Sequence, residues 1–161
     1  MAAIMSVAGF TEALQAAVQV RVVDDLTVPV ISIPGLAVLK LFAWADRRMA
    51  SSKDADDLLI LLRHYADSGN LDRLYTNTFH ILESCDYDVD AAGAYLLGLD
   101  TATITSDDTR SRMLILLKDA DMRDRLILHM ARSRVAQEDS LTYVSSLLNQ
   151  FVNGLSSGHW S

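Results

Sequence analysis

The chain has 161 residues, of which 50% are hydrophobic and 22% are charged, and its formal net charge is −7 at pH 7. This composition is typical of a globular protein, and the acidic balance argues against attraction of nucleic acid over the whole surface, although not against a local basic pocket. The single cysteine excludes an internal disulfide, no apolar stretch reaches the roughly 18 residues of a membrane span, and no basic region of a signal peptide opens the chain, so a cytoplasmic protein is expected.

The first predicted element is a β-hairpin over residues 18–32. Valines alternate with other residues in VQVRVV, and the same period of two resumes after Asp24-Asp25, which can form the turn. Pro29 pushes the second strand towards an edge, because proline cannot donate a ladder hydrogen bond. A lone two-stranded hairpin is marginal in water, so this one either packs on helices or belongs to a larger sheet. Its free edge could also pair with a second copy of the chain in a homo-oligomer.

A pair of helices follows and carries the first candidate site. Pro34 stands at the start of the first helix, where its missing N–H does no harm, and the Ser51-Ser52 pair can cap the second. Lys40 lies in an apolar stretch, so its ammonium must reach water or a negative partner. The nearest partners are Asp54 and Asp57, which are three residues apart and share one face of the second helix.

Each of these residues also has a purely structural interpretation. Lys40 could extend from the rim of a buried helix into water, and Asp54 could be only a capping carboxylate. Arg47 lies two turns after Lys40 and projects in a similar direction, but it could be an ordinary surface charge. Asp57 lies one turn further in and is harder to explain as a cap. The spacing predicts a helix hairpin with two bases on one arm and two acids on the other.

Helices are predicted along the rest of the chain. The residues that favour helix starts are Asn70, Asp88, Thr105 and Ser106. The helix after Asn70 is expected to continue to about Glu83, and two later helices are expected over Met122–Val135 and Leu141–Phe151, with Gly154 as the final stop. The sequence therefore predicts a mainly α fold, in which a short N-terminal β-hairpin is followed by a helical bundle.

Other candidate motifs are weaker. Asp86-Tyr87-Asp88 spells D-x-D, but it lies between helices and follows no Gly-Ser turn, so a turn and a helix cap explain it. The four histidines show no spacing typical of metal ligands, and no metal site is predicted. Cys85 has no neighbouring base and is interpreted as a buried or half-buried thiol.

The segment from Leu36 to Leu58 has the pattern LxxLKLxAWxDRxxxxxKDxxDL. It resembles the C-terminal signature of the AbiEii-type nucleotidyltransferases, which are toxins of type IV toxin–antitoxin and abortive-infection systems. The preceding stretches MSVAGFTEAL and VQVRVVDDLTVPVIS are similar to the segment before that signature, and RHYADSGNLDRLY and DVDAAGAYLLGLD are similar to the helical tail of a subgroup. The resemblance covers nearly the whole chain and is strongest between Lys40 and Asp57.

The resemblance implies a site as well as a fold. It implies catalytic roles for Lys40, Asp54 and Asp57, and nucleotide binding by Lys40, Arg47 and Lys53. In the full-length family, a Gly-Ser turn precedes a pair of strand-borne aspartates that bind the Mg²⁺ accompanying a nucleoside triphosphate, and no Gly-Ser dipeptide followed by a D-x-D strand occurs in this chain. Neither Mg²⁺ nor the nucleotide is therefore expected to bind tightly to this chain alone.

The same resemblance predicts how the chain is divided. It is expected to be the C-terminal part of a family protein, with residues 1–33 as the edge of a nucleotidyltransferase sheet, 34–154 as a helical domain and 155–161 as a polar tail. One function follows directly, namely that the chain contributes its lysine and KDxxD residues to a nucleotide pocket and is inactive alone. The alternative is a non-catalytic helical interaction module, whose partner would be an antitoxin or a separate catalytic chain.

Overall fold

The computed structural model describes residues 7–133 and 141–158. Within these ranges the elements are α1 (Phe10–Gln15), β1 (Val18–Val23), β2 (Leu26–Val30), α2 (Ile33–Arg47), α3 (Lys53–His64), α4 (Leu71–Tyr75), α5 (Phe79–Ser84), α6 (Val89–Ile104), α7 (Asp107–Lys118), α8 (Ala120–Ala131) and α9 (Leu141–Ser157). The prediction of a mainly α fold with a short β-hairpin near its N-terminus is confirmed. Of the helices in the described part of the chain, none combines the length and the apolar character needed to cross a bilayer.

The β-hairpin has one apolar face. Val18 pairs with Val30 and Val20 with Val28, so these valines point to the same side, and an irregularity between Arg21 and Val23 brings Val23 opposite Leu26. Both strands lie at the surface, and every residue of β1 is exposed. The hairpin therefore leaves valine and leucine side chains in water, with β1 and β2 as the only two strands of its sheet within the described ranges.

The core begins with α2 and α3. Ser32 caps α2 by accepting a hydrogen bond from the backbone N–H of Gly35 at 3.2 Å. The buried face of α2 and that of α3 then close against each other and against α6, and their fully buried side chains include Leu41, Trp44, Leu58, Leu59 and Leu62. The polar edge of this helix pair is consequently held in a fixed position over a rigid core.

Helices α6 and α9 form the closest packing in the fold. A Cβ added at Gly98 would lie 2.1 Å from the carbonyl oxygen of Phe151, and one added at Gly154 would lie 2.0 Å from the carbonyl oxygen of Tyr95. Only glycine lets the two backbones approach this closely. The Tyr143 hydroxyl donates to Asp90 at the start of the pair.

The structure corrects several predicted helix boundaries. The helix expected from Asn70 to about Glu83 is broken between α4 and α5, because the hydroxyls of Thr76 and Thr78 donate to the carbonyls of Asp72 at 2.6 Å and Arg73 at 2.9 Å and compete with the helix. Gly154 does not stop α9, which continues to Ser157. The glycine is needed instead for the close approach of α9 to α6.

Other predictions of helix ends have mixed outcomes. Ser106 and Asp88 do cap α7 and α6, accepting from the backbone N–H groups of Thr109 and Ala91. The helix expected from Met122 begins at Ala120 and ends at Ala131 in the structure, because Asp119 caps it, and Val135 lies outside the described residues. Helix α1 was not predicted.

Helix α1 is fixed to the helical body by a carboxylate. Glu12 accepts hydrogen bonds from the hydroxyls of Ser106, at 3.0 Å, and Thr109, at 2.5 Å, beside the N-terminus of α7. The bond from Thr109 is the main reason that the pKa of Glu12 is lowered. This contact sets the position of α1 beside α2.

Candidate functional site

Four charged side chains meet between α2 and α3. The ammonium of Lys40 lies 2.5 Å from Asp57 Oδ2 and 3.4 Å from Asp54 Oδ1. The guanidinium of Arg47 donates to the other oxygen of Asp54, at 2.7 Å. We call Lys40, Arg47, Asp54 and Asp57 the charge quartet. The helix spacing seen in the sequence thus does place two bases on one arm against two acids on the other.

Burial differs sharply among the members of the charge quartet. The side chain of Asp54 is 4% exposed, whereas Asp57 is 34% exposed, Lys40 26% and Arg47 51%. Asp54 is therefore an anchor beneath the site, because it contacts both bases and hardly meets water. Lys40 and Asp57 form a pair that a ligand can reach from solvent.

The protonation of Lys40 is secured by this arrangement. The hydrogen bond to Asp57 is the largest cause of a raised pKa, partial burial opposes it, and Asp54 adds to the increase. Lys40 is consequently a cation throughout the neutral range. A compact, permanent positive charge with an exposed edge suits the binding of phosphate oxygens.

The start of α3 differs from the serine and aspartate caps that the sequence suggested. Ser52 occupies the cap position without a side-chain cap bond, while Ser51 Oγ accepts from the N–H of Lys53 at 3.2 Å. Asp54 does not cap the helix, because its two oxygens are engaged by Lys40 and Arg47. Lys53 is exposed at the first position of α3, beside the charge quartet rather than within it.

One family model matches the chain over residues 8–139, and its description is nucleotidyl transferase AbiEii toxin, type IV toxin–antitoxin system. The chain belongs to the AbiEii family. No curated protein and no solved structure shows significant similarity to it. Membership in this family indicates a nucleotidyltransferase-like toxin domain. The family in general uses nucleotides with Mg²⁺, and a type IV toxin–antitoxin system implies an antitoxin partner.

The AbiEii match does not bring a metal site with it. Throughout residues 7–133 and 141–158, no group of three or more His, Cys, Asp or Glu side chains is arranged to hold a metal ion. The two carboxylates of the charge quartet are already neutralised by Lys40 and Arg47. These residues of the AbiEii chain therefore do not fit Mg²⁺ binding.

A second polar contact near the charge quartet was missed in the sequence. Trp44 lies on α2 between Lys40 and Arg47, is fully buried, and donates from its indole N–H to Nδ1 of His129 on α8 at 3.0 Å. Burial lowers the pKa of His129, and the positive charges of Arg125 and Arg132 lower it further. Because a buried indole N–H usually finds an acceptor, the tryptophan itself was the available signal.

A third cluster lies at the far end of α3. Asp100 receives two bonds from the guanidinium of Arg73, at 2.8 and 2.9 Å, and one from the hydroxyl of Tyr65 at 2.6 Å. Asn70, expected to cap a helix, instead donates to the carbonyl of Tyr65 and accepts from Arg73. The pKa of Tyr65 is raised, first by burial and then by Asp100. Sequence spacing gave no signal for these long-range pairs.

The weaker motifs are explained by local structure. Asp86 and Tyr87 both adopt positive φ where the chain leaves α5, and Asp88 caps α6, so the predicted turn and cap are confirmed. Cys85 is buried, as expected of a structural thiol, and burial raises its pKa. A raised pKa disfavours the reactive thiolate.

Proposed function

We propose that the α2–α3 helix pair forms one side of a nucleotide-binding site in which Lys40 contacts phosphate oxygens. The observation that carries this proposal is the charge quartet, in which the buried Asp54 carboxylate holds two bases while both bases and Asp57 remain partly open to solvent. Such preorganisation favours electrostatic stabilisation, because the donors need not reorganise when negative charge develops.

Each residue has a distinct role in the proposed site. Lys40 neutralises negative charge on the phosphates. Asp57 keeps the Lys40 ammonium in place and faces the ligand. Asp54 positions both Lys40 and Arg47 from below and does not itself meet the substrate. Arg47 and Lys53 extend the positive surface on either side, since both are exposed.

We further propose that this chain supplies only part of the complete site and does not transfer nucleotides alone. The β-hairpin supports this interpretation, because within the described ranges its sheet consists of β1 and β2 alone, and a two-stranded sheet with exposed valines is marginally stable in water without further strands or a packed layer. The chemistry that requires Mg²⁺ would then depend on carboxylates outside the described residues.

The exposed hairpin also supports the second candidate, a non-catalytic interaction module. In that case the apolar face of Val18, Val20, Val28 and Val30 would contact a partner protein, and the charge quartet would only join α2 to α3. The two candidates differ in one measurable property, since only the first requires an affinity for nucleotides that depends on Lys40.

Isothermal titration with each of the four nucleoside triphosphates, in the presence of Mg²⁺, tests the proposal. Lys40→Ala should abolish the binding, whereas the matched control Lys118→Ala, which removes an exposed lysine at the end of α7, should leave it unchanged. Circular dichroism of both variants establishes that they are folded. Absence of binding to every triphosphate, or equal binding by wild type and Lys40→Ala, would contradict the proposal and favour the interaction module.

A further inference from the structure

A small hollow lies between α1 and α2 and shares one residue with the charge quartet. Its volume is about 120 Å³, and the residues that line it include Phe10, Leu39, Phe42, Ala43, Asp46 and Arg47. The walls are mainly apolar and aromatic, and Asp46 and Arg47 are the charged residues among them. Arg47 also donates to Asp54, so the hollow opens beside the site proposed for phosphates.

The chemistry of the hollow suits a flat heterocycle. Phenyl rings offer stacking surfaces, and base–aromatic stacking tolerates any nucleobase because every base has a π-face. Arg47 donates from one of its nitrogens to Asp54, and a guanidinium has five donors in all, so Arg47 keeps donors for the acceptors on the edge of a base. An aliphatic ligand would make no use of these donors.

The size of the hollow limits what can enter it. Sites that enclose a drug-sized ligand measure about 300–1,000 Å³, so 120 Å³ accepts one ring system and leaves the rest of the ligand outside. Lys40 follows the lining residue Leu39 directly on α2, and its ammonium and the guanidinium of Arg47 both contact Asp54. A ligand with an aromatic end in the hollow and an anionic end at Lys40 has the shape and charge of a nucleotide.

We propose that the hollow between α1 and α2 binds the nucleobase of the nucleotide whose phosphates meet Lys40. This inference rests on the proposed function and adds a base-binding subsite to it. Phe10 provides the wall that solvent reaches, because it is 52% exposed at the start of α1, whereas Phe42 belongs to the core. The anchoring of Glu12 to Ser106 and Thr109 keeps α1, and with it Phe10, beside the hollow.

The test compares a nucleoside triphosphate with inorganic tripolyphosphate, which carries the phosphates without a base. Calorimetry on the whole chain should find that the nucleotide binds on the order of tenfold more tightly, since stacking on one aromatic side chain commonly has this effect. Phe10→Ala should remove this advantage and leave tripolyphosphate binding unchanged. Leu14→Ala is the matched control, because Leu14 is 54% exposed on the same helix and is not among the residues that define the hollow.

A second variant tests the opposite wall. Ala43→Leu would fill the hollow from α2 and should weaken nucleotide binding while sparing tripolyphosphate, even if Phe10→Ala perturbs α1. Equal affinities of wild type for the two ligands, or equal effects of Phe10→Ala and Leu14→Ala, would overturn the base-binding subsite and leave the proposed function intact. Failure of the chain to bind either ligand would overturn both.

Discussion

Asp54→Asn is expected to destabilise the fold more than any other single change in the charge quartet. The carboxylate is 4% exposed and receives one bond of 2.7 Å from Arg47 and a longer one of 3.4 Å from Lys40. Asparagine preserves the volume but removes the charge that holds both cations. The loss is therefore electrostatic rather than a matter of packing.

The magnitude follows from which charges are left without a partner. Removing one member of a buried ion pair costs about 3–5 kcal/mol when the other charge is stranded, and a hydrogen bond to a charged group contributes about 1.5–3 kcal/mol. In this protein Arg47 is 51% exposed and Lys40 keeps Asp57, so neither cation is stranded. We expect a loss of about 2 kcal/mol in the free energy of unfolding, which lowers Tm by about 4–8 °C for a chain of this size.

Urea unfolding followed by circular dichroism measures this loss, and urea is preferred because guanidinium would screen the ion pairs. Asp57→Asn should cost less, about 1 kcal/mol or below, since its carboxylate is partly in water. Asp72→Asn on the exposed surface of α4 is the control and should stay within about 0.5 kcal/mol. If Asp54→Asn lost no more stability than Asp72→Asn, the description of Asp54 as a buried anchor would be wrong.

Three further outcomes are expected. Gly154→Ala should lower the urea midpoint, because the added Cβ would lie 2.0 Å from the Tyr95 carbonyl oxygen, and this clash outweighs the preference of alanine for a helix, about 1 kcal/mol. An unchanged midpoint would argue against close packing of α6 and α9. The pKa of Glu12 is lowered from 4.5, so its carboxylate stabilises the folded state above that pH, and this stabilisation is lost as pH falls through the folded pKa. The difference in Tm between wild type and Glu12→Gln should therefore shrink on acidification, and a constant difference would contradict this. The pKa of His129 is lowered from 6.5, so wild type should lose stability as pH falls below that value while His129→Gln loses less, and parallel Tm profiles would refute the assignment.

The local part of this structure could be predicted from the sequence. Alternation of valines, the position of Pro34 and the spacing of Asp54 and Asp57 determine a hairpin and two amphipathic helices through contacts within a few residues. The pairing of Lys40 with these acids could be predicted for the same reason, because the short loop between α2 and α3 leaves the two helices as neighbours.

Contacts between distant segments could not be predicted in this way. The bond from Trp44 to His129 and the bidentate pair of Arg73 and Asp100 depend on how the helices stack, and no spacing encodes that. Local propensity predicts a helix stop at Gly154, whereas the neighbour of this glycine across the helix interface decides the outcome. The hollow beside Phe10 was missed because α1 itself was not predicted.

The pairing of α6 with α9 affects the chain while it is being synthesised. Asp90 and Tyr143, which join the two helices, are 53 residues apart in sequence. At about 5–20 residues per second, a ribosome needs roughly 3–10 s to produce the second helix after the first. During that interval the side of α6 that α9 later covers, which includes Tyr95, Gly98 and Leu99, stays open on the nascent chain, although α2 and α3 can already pack on the other side. A chaperone that binds apolar segments would find the open side there.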